Sequence, residues 1–251
     1  MKNTSKNKNF MSRFWRLIRN LVILFFATSI AWVILARFIP VYLTPLMIIR
    51  SVEALADGKT PRNSKDWVSI DNISPNMVQA VVASEDNLFM EHHGFSLTDI
   101  NKAIKHNKKG KRIRGGSTIS QQTAKNVFLW PRRSYLRKGL EAYFTVLIEL
   151  FWSKERIMEV YLNVIETGDG TYGVEAASQK YFGKSAKYLT KSQAALIAAC
   201  LPNPRRFSAG NPSGYILRRK SKIIYLMGKI EQVDFDKKGT SVEKPEKRKK
   251  K

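Results

Sequence analysis

At 251 residues with a formal charge of +24, the chain is long enough to bury one sizeable core and requires no second domain. A balance this basic implies a polyanionic partner: nucleic acid, an anionic membrane surface or a phosphate-bearing substrate. The single cysteine, Cys200, excludes an intramolecular disulfide and any Cys-rich zinc site, and its apolar surroundings mark it as a buried, inert thiol.

The N-terminus chooses among those partners. Residues 21–36 carry no charge, and residues 38–43 extend the apolar stretch past Arg37, which can snorkel. Lys2, Lys6, Lys8, Arg13, Arg16 and Arg19 precede it with no acid among them, so the positive-inside rule keeps the N-terminus cytoplasmic and exports the rest. A small-x-small cleavage site is missing around Ala36, Arg37 and Phe38, which favours an uncleaved anchor over a signal peptide. Nucleic acid is the weakest partner for an exported domain. The chain divides into a basic cytoplasmic tail (1–20), a transmembrane anchor (21–43), a stem (44–66), a folded domain (67–232) and a disordered basic tail (233–251).

Pro45, Asp57, Gly58 and Pro61 give residues 44–66 their stem-like character. Ser74 and Pro75 then open a helix as cap and first helical residue, and Met77, Ala80, Val81 and Ser84 share one face. Glu85 and Asp86 stand at its end, where burial holds one acid near neutral pKa for general acid/base work. Ser96 with Asp99 opens a further helix, and a basic loop follows over residues 105–114.

Thr118 and Gln121 form a capping box for a helix ended by Pro131, in which Ser117, Gln122, Lys125 and Asn126 add hydroxyl, amide and cationic groups suited to an anionic or polyhydroxylated ligand. Ser134 caps a long apolar helix to Trp152, Ser153 restarts the chain into a helix over residues 154–163, and Gly168, Asp169 and Gly170 make a turn. Residues 174–181 form a short helix before Gly183, and Thr190 with Gln193 boxes another that Pro202 stops. No period-two stretch appears, so the predicted fold class is all-α.

Four blocks fall in this order: E-D-N-L-F-M-E-H-H-G (85–94), G-G-S-T-I-S-Q-Q-T-A-K-N (115–126), R-K-G-L-E (137–141) and K-E-R-I-M-E-V-Y-L-N-V-I-E-T-G (154–168). They closely resemble the motifs of the peptidoglycan glycosyltransferases, the transglycosylase family shared by bifunctional penicillin-binding proteins, over about residues 67–225. Residues 173–186 and 201–207 look most like the monofunctional biosynthetic transglycosylases of Gram-negative bacteria. Ser96 and Gln193 stand where many members carry Asp and Glu, and each still serves as a cap. The only S-x-x-K matches, 5–8 and 241–244, lie in the polar tails, so no transpeptidase is expected.

The resemblance implies a lysozyme-like all-α domain behind one transmembrane helix in the bacterial inner membrane, facing the periplasm. It implies polymerisation of lipid II into glycan strands, with the 4-hydroxyl of one lipid II attacking the anomeric carbon of the growing chain and undecaprenyl pyrophosphate leaving. Glu85 matches the general base, and Lys125, Arg133, Arg137 and Lys138 match the cations assigned to the pyrophosphate. Glu141 matches the second functional carboxylate, orienting those cations or helping to hold a divalent ion. Ser117, Thr118, Gln121, Gln122 and Asn126 complete the substrate-binding set, and Asp86, Phe89, His92 and Gly94 the supporting one.

No cofactor is certain; a divalent cation such as Mg is the one the resemblance admits. His92 and His93 read as packing or hydrogen-bonding residues, since neighbouring histidines on a loop do not close a metal site. Partners are lipid II, the growing strand and membrane lipid, with cell-division or penicillin-binding proteins admitted and no nucleic acid. Two other classes stay open on the residues alone. A glycan-cleaving lysozyme-like enzyme shares the fold and the Glu but needs no pyrophosphate cluster, and a membrane-anchored scaffold leaves the four motifs without a purpose.

Overall fold

The computed structural model describes residues 3–61, 63–96, 116–132 and 134–236. They form two compact units, 1–40 and 41–251. The first is one helix, α1 (Asn3–Ala36), whose residues 21–36 carry no charge and whose Met11–Ala36 stretch is long and apolar enough to cross a membrane. Those 26 residues measure about 39 Å at 1.5 Å per residue, more than the ~30 Å hydrocarbon core of a bilayer. Little of that stretch is buried within the protein, so its length and composition are those of a membrane span and not of a core helix. The helix stops at Ala36, short of the expected Leu43, because Pro40 lacks an N–H and biases Ile39 away from helical backbone.

The segment expected to be a stem contains a helix, α2 (Pro45–Ala56), started by the Thr44 hydroxyl, which accepts from the Met47 amide at 3.4 Å. Its wheel is two-faced. Ile48, Val52 and Leu55 are exposed, while Arg50, Glu53, Ala54 and Asp57 line one pocket against the domain.

The second unit is built on α3 (Pro75–Glu85). Ser74 caps it and Pro75 occupies the first turn, as expected, and Met77, Val78 and residues 80–83 are buried. α3 packs on α8 (Lys191–Cys200) and α9 (Gly214–Met227), which also pack on each other. The second half of the core is α4 (Ile119–Phe128) held between α5 (Tyr135–Phe151) and α6 (Lys154–Val164). Both expected capping boxes form, Thr118 with Gln121 and Thr190 with Gln193, and Ser134 and Ser153 cap α5 and α6. The Asn163 side chain bonds the Val68 amide and carbonyl at 3.0 and 2.8 Å, pinning the entering chain to α6.

After α6 comes the part that departs from an all-helical chain, a three-stranded sheet of β1 (Ser64–Lys65), β2 (Glu166–Gly168) and β3 (Thr171–Tyr172) in the order β1-β3-β2. Strands this short leave no period-two trace in sequence. The fold class is otherwise the mostly helical one expected. α7 (Val174–Phe182) follows and ends at Gly183 in left-handed backbone, φ 65°.

α9 itself was not expected, although Ser213 caps it and Ile216, Ile223 and Met227 share its buried face. Beyond it, the Gln79 amide donates to the Met227 and Glu231 carbonyls and accepts from the Val233 N–H at 2.9 Å. The domain's hydrogen bonding therefore runs one residue past the expected boundary at 232. The helix expected after Ser96, the basic loop, and residues 237–251 of the tail lie outside the described residues.

Candidate active site

Glu85 is the last residue of α3, where Asp86 leaves helical backbone (φ −161°, ψ 79°). Its Oε2 accepts from the Gln122 amide on α4 at 3.2 Å, and its Oε1 lies 3.7 Å from the Arg219 guanidinium on α9. The other end of Gln122 accepts from the Tyr161 hydroxyl on α6 at 3.5 Å, which fixes the amide with its NH2 toward the carboxylate. Burial raises the Glu85 pKa, against the opposing pull of the Gln122 hydrogen bond, Arg219 and Lys125. Burial also lifts the Tyr161 hydroxyl well above its ordinary value, with Glu85 and Asp86 adding to it, so it stays a neutral donor. A carboxylate held this way takes up a proton more readily than an ordinary one, which is what a base for an alcohol requires.

The neighbouring Asp86 does a different job. Its carboxylate receives the His92 Nε2–H at 2.9 Å and the Ile119 amide at 3.0 Å, placing negative charge at the start of α4. His92 Nδ1 accepts from the Gly94 amide at 3.1 Å, and the Gly94 carbonyl accepts from the Thr118 hydroxyl at 2.7 Å. Gly94 needs its φ of 83°, and a Cβ there would stand 2.7 Å from Thr145 Cγ2. Gln121 spends its carbonyl on the Thr118 amide. Asp86, His92, Gly94, Thr118 and Gln121 thus form a staple that sets α4 against the end of α3. Phe89 is fully buried beneath it, with the Lys154 ammonium 4.6 Å over its ring; Lys154 also bonds the His92 carbonyl at 2.6 Å and Glu149 at 2.8 Å.

Cations gather on the side of Glu85 facing α5. Arg137 and Lys138, one turn into α5, each take an oxygen of Glu141, with Arg137 at 3.1 Å. Glu141 and Arg137 are buried and Lys138 is exposed. Lys125 on α4 lies within the fields of Glu141, Arg137, Lys138 and Glu85, and burial lowers its pKa. Two guanidinium N–H groups around this region, Nε of Arg137 and of Arg219, are buried without a hydrogen-bond partner among the described residues. Asn126 is buried on α4 and Ser117 is exposed just before its cap. Arg133 lies outside the described residues.

The carboxylates here do not fit a divalent cation such as Mg. Glu141 gives both oxygens to cations and Glu85 faces Gln122 and Arg219, while no group of three or more His, Cys, Asp or Glu side chains among the described residues is arranged to hold a metal. His93 is exposed and His92 is committed to Asp86. Arg219 was not among the residues expected at the site. Tyr161 is fully buried, and its hydroxyl reaches the Gln122 that holds Glu85. The pattern of basic residues in the Gly214–Met227 helix, with Arg218 and Arg219 adjacent, was the available signal.

Comparison with known proteins places this arrangement among relatives. The transglycosylase family pattern matches residues 52–228. A biosynthetic peptidoglycan transglycosylase of Bacteroides thetaiotaomicron is 57% identical over 235 residues, covering 91% of this chain and 95% of that protein. Proteins of the same description from Bdellovibrio bacteriovorus and Caulobacter vibrioides are 59% identical over 203 residues and 52% identical over 227. These alignments cover 81% and 88% of this chain, and 81% and 96% of those proteins.

Proposed function

The chain belongs to the transglycosylase family and is a peptidoglycan glycosyltransferase, and from that premise we propose that it polymerises lipid II with Glu85 as general base. The acceptor's 4-hydroxyl attacks the anomeric carbon of the growing chain as its proton passes to Glu85. The new bond is the glycosidic C–O bond, and the bond that breaks joins the anomeric carbon to undecaprenyl pyrophosphate, which leaves with the electron pair. The observation that carries the reading is the part-buried, pKa-raised Glu85 facing Lys125 and the Arg137–Lys138–Glu141 cluster across α4.

In this reading Lys125, Arg137, Lys138 and Arg133 meet the charge that grows on the leaving pyrophosphate, and so stabilise the transition state more than the ground state. Glu141 holds Arg137 and Lys138 in place. Gln122 and Tyr161 orient the base, and Arg219 balances it. Ser117 and Asn126 serve the sugars, while Thr118, Gln121, Asp86, Phe89, His92 and Gly94 hold the frame. No step is routed through a metal, because the nearby carboxylates are committed to nitrogen donors.

α1 anchors the enzyme in the inner membrane with its N-terminus cytoplasmic and its catalytic domain periplasmic, beside its lipid-linked substrate and membrane lipid. Cell-division or penicillin-binding proteins are the protein partners this location offers, and no transpeptidase activity accompanies polymerisation. The test is incubation of the purified protein with lipid II. Appearance of glycan polymer, lost in Glu85→Gln, supports the reading, and release of fragments from finished glycan without polymer overturns it.

A further inference from the structure

Glu85 stands at the seam between the two halves of the helical core, bonded to Gln122 of α4 and facing Arg219 of α9. The cations Lys125, Arg137 and Lys138 belong to α4 and α5, whereas α9 packs on α3 and α8 in the other half. On α9, Tyr215 precedes Arg219 by four residues and so shares its face, about 6 Å away. Tyr215 is 52% exposed, and its ring pairs with that of Phe207, centroids 5.6 Å apart and planes inclined by 34°. The Arg206 guanidinium stands 5.8 Å from the centre of the Phe207 ring. An aromatic pair thus lies open on the flank of α9 that brings Arg219 to the base.

Both rings sit on backbone fixed in advance. Pro202 and Pro204 restrict the chain leaving α8, and the Asn203 carbonyl accepts from the amides of Arg206 and Phe207 at 3.1 and 3.0 Å. Arg205 ties the same loop to the β2–β3 hairpin through Asp169 at 3.2 Å. Ser213 caps α9 two residues before Tyr215, accepting from the Ile216 amide at 3.5 Å. Packing does not require the Tyr215 ring, since Ile216, Ile223 and Met227 supply the buried face of the helix. A flat apolar surface held this way can stack on a ligand with little ordering cost.

The direction of the displacement selects the ligand. The pyrophosphate departs toward α4 and α5, and in a single displacement the attacking hydroxyl enters from the opposite face of the reacting sugar. That approach belongs to the half of the core that carries α9. We infer that Tyr215 and Phe207 form the stacking platform for the sugar rings of the acceptor, which present their 4-hydroxyl to Glu85 past Arg219. A pyranose carries C–H bonds on its faces and polar groups around its edge, so an aromatic face takes the first and leaves the second to water and to Arg219. Tyr215 and Phe207 are acceptor-binding residues in this scheme and touch none of the reacting atoms.

The inference rests on the lipid II reading above, and the test makes the two fail differently. Full-length protein in detergent receives a labelled lipid-linked tetrasaccharide whose terminal 4-hydroxyl is methylated, so that it can only donate, and lipid II as acceptor. Coupling is read from the label moving to a longer product, with each substrate varied while the other is held constant. Tyr215→Ala should raise KM for lipid II about tenfold, a loss of about 1.4 kcal/mol of binding, with kcat and the donor KM little changed. Phe207→Ala should act in the same direction. Tyr215→Phe should restore the acceptor KM and Tyr215→Leu should not, because leucine keeps apolar area without a flat ring.

An unchanged acceptor KM in both alanine variants, or a leucine variant as good as the phenylalanine one, overturns the inference. A KM increase for the methylated donor in place of the acceptor would assign the rings to the growing strand and overturn it as well. So would an effect confined to substrate in bilayers and absent in detergent, which would make the rings a membrane contact. No coupling at all by the unmodified protein would instead refute the lipid II reading. Because Tyr215 lies off the buried face of α9, the unfolding midpoint of Tyr215→Ala should stay close to that of the unmodified protein, which separates a lost contact from a lost fold.

Discussion

Replacing Glu85 with Gln leaves a side chain of the same size that still hydrogen-bonds Gln122, but it removes both the base and a part-buried charge. General-base catalysis contributes about 10²–10⁴-fold, so polymerisation should fall at least about a hundredfold, or about 2.7 kcal/mol of transition-state stabilisation. The stability effect has the opposite sign. Burial raises the folded-state pKa of Glu85 above its ordinary 4.5, so the folded protein holds that proton to a higher pH than the unfolded chain does. That contribution to stability is complete below the unfolded pKa and is lost as pH rises through the folded one.

The Gln variant has no such loss. At neutral pH it should therefore unfold at a higher temperature than the unmodified protein, and the two midpoints should converge as pH falls toward the ordinary carboxylate range. The rate of the unmodified enzyme should rise with pH along a limb displaced upward from ordinary carboxylates, a limb absent from the variant's residual activity. The assays are gel-resolved polymer from lipid II and thermal unfolding between pH 4 and 8. Turnover within tenfold of the unmodified enzyme refutes the base assignment, and midpoints that differ equally at every pH refute the burial argument.

Asp86→Ala strips partners from His92 and the Ile119 amide, bonds to a charged group worth about 1.5–3 kcal/mol each, so urea unfolding should show a loss of roughly 3 kcal/mol while activity per folded molecule falls far less than in Glu85→Gln. Gly94→Ala, at a φ of 83° with Thr145 Cγ2 in the way, should cost about 1–3 kcal/mol, read as a midpoint lowered by roughly 2–4 °C per kcal/mol. A chain starting at Val41 should keep its fold and its activity on detergent-solubilised lipid II but lose much of its rate on substrate in bilayers, where co-localisation acts as concentration; equal rates in both settings would contradict the anchor's role.

Sequence was most informative where a structural signal is local. Ser74 with Pro75, Thr118 with Gln121, Ser134, Ser153 and Thr190 with Gln193 are caps whose partners lie within one turn, and each starts its helix as read. Thr44 with Pro45 carries the same signal, yet the Gly and Pro nearby gave the segment the look of a stem. Of the two neighbouring glutamines, Gln121 was legible as the capping-box residue, whereas the partner of Gln122 depends on which way it points on α4: Gln121 turns back to its cap, and Gln122 faces Glu85. Arg219 shows the limit of such reading, since its meeting with Glu85 exists only once α9 packs on α3. The short sheet was hidden for another reason: its pairing joins β1 to β3 across the whole helical core.

The Gln79 clamp bears on the order in which the enzyme comes into being. Its bond to Val233 spans 154 positions of sequence, so the helix carrying Glu85 is sealed only by nearly the last described stretch of chain. A chain emerging N-terminus first at about 5–20 residues per second makes its reactive carboxylate well before the guanidinium that balances it. Contacts of such long sequence separation also form late, after the loop-closure entropy has been met. A nascent chain that has delivered α3 but not α9 therefore holds Glu85 without Arg219 and without the cover of the C-terminal helix. Activity should begin only once Arg219 and Val233 have been made, when α9 closes over α3.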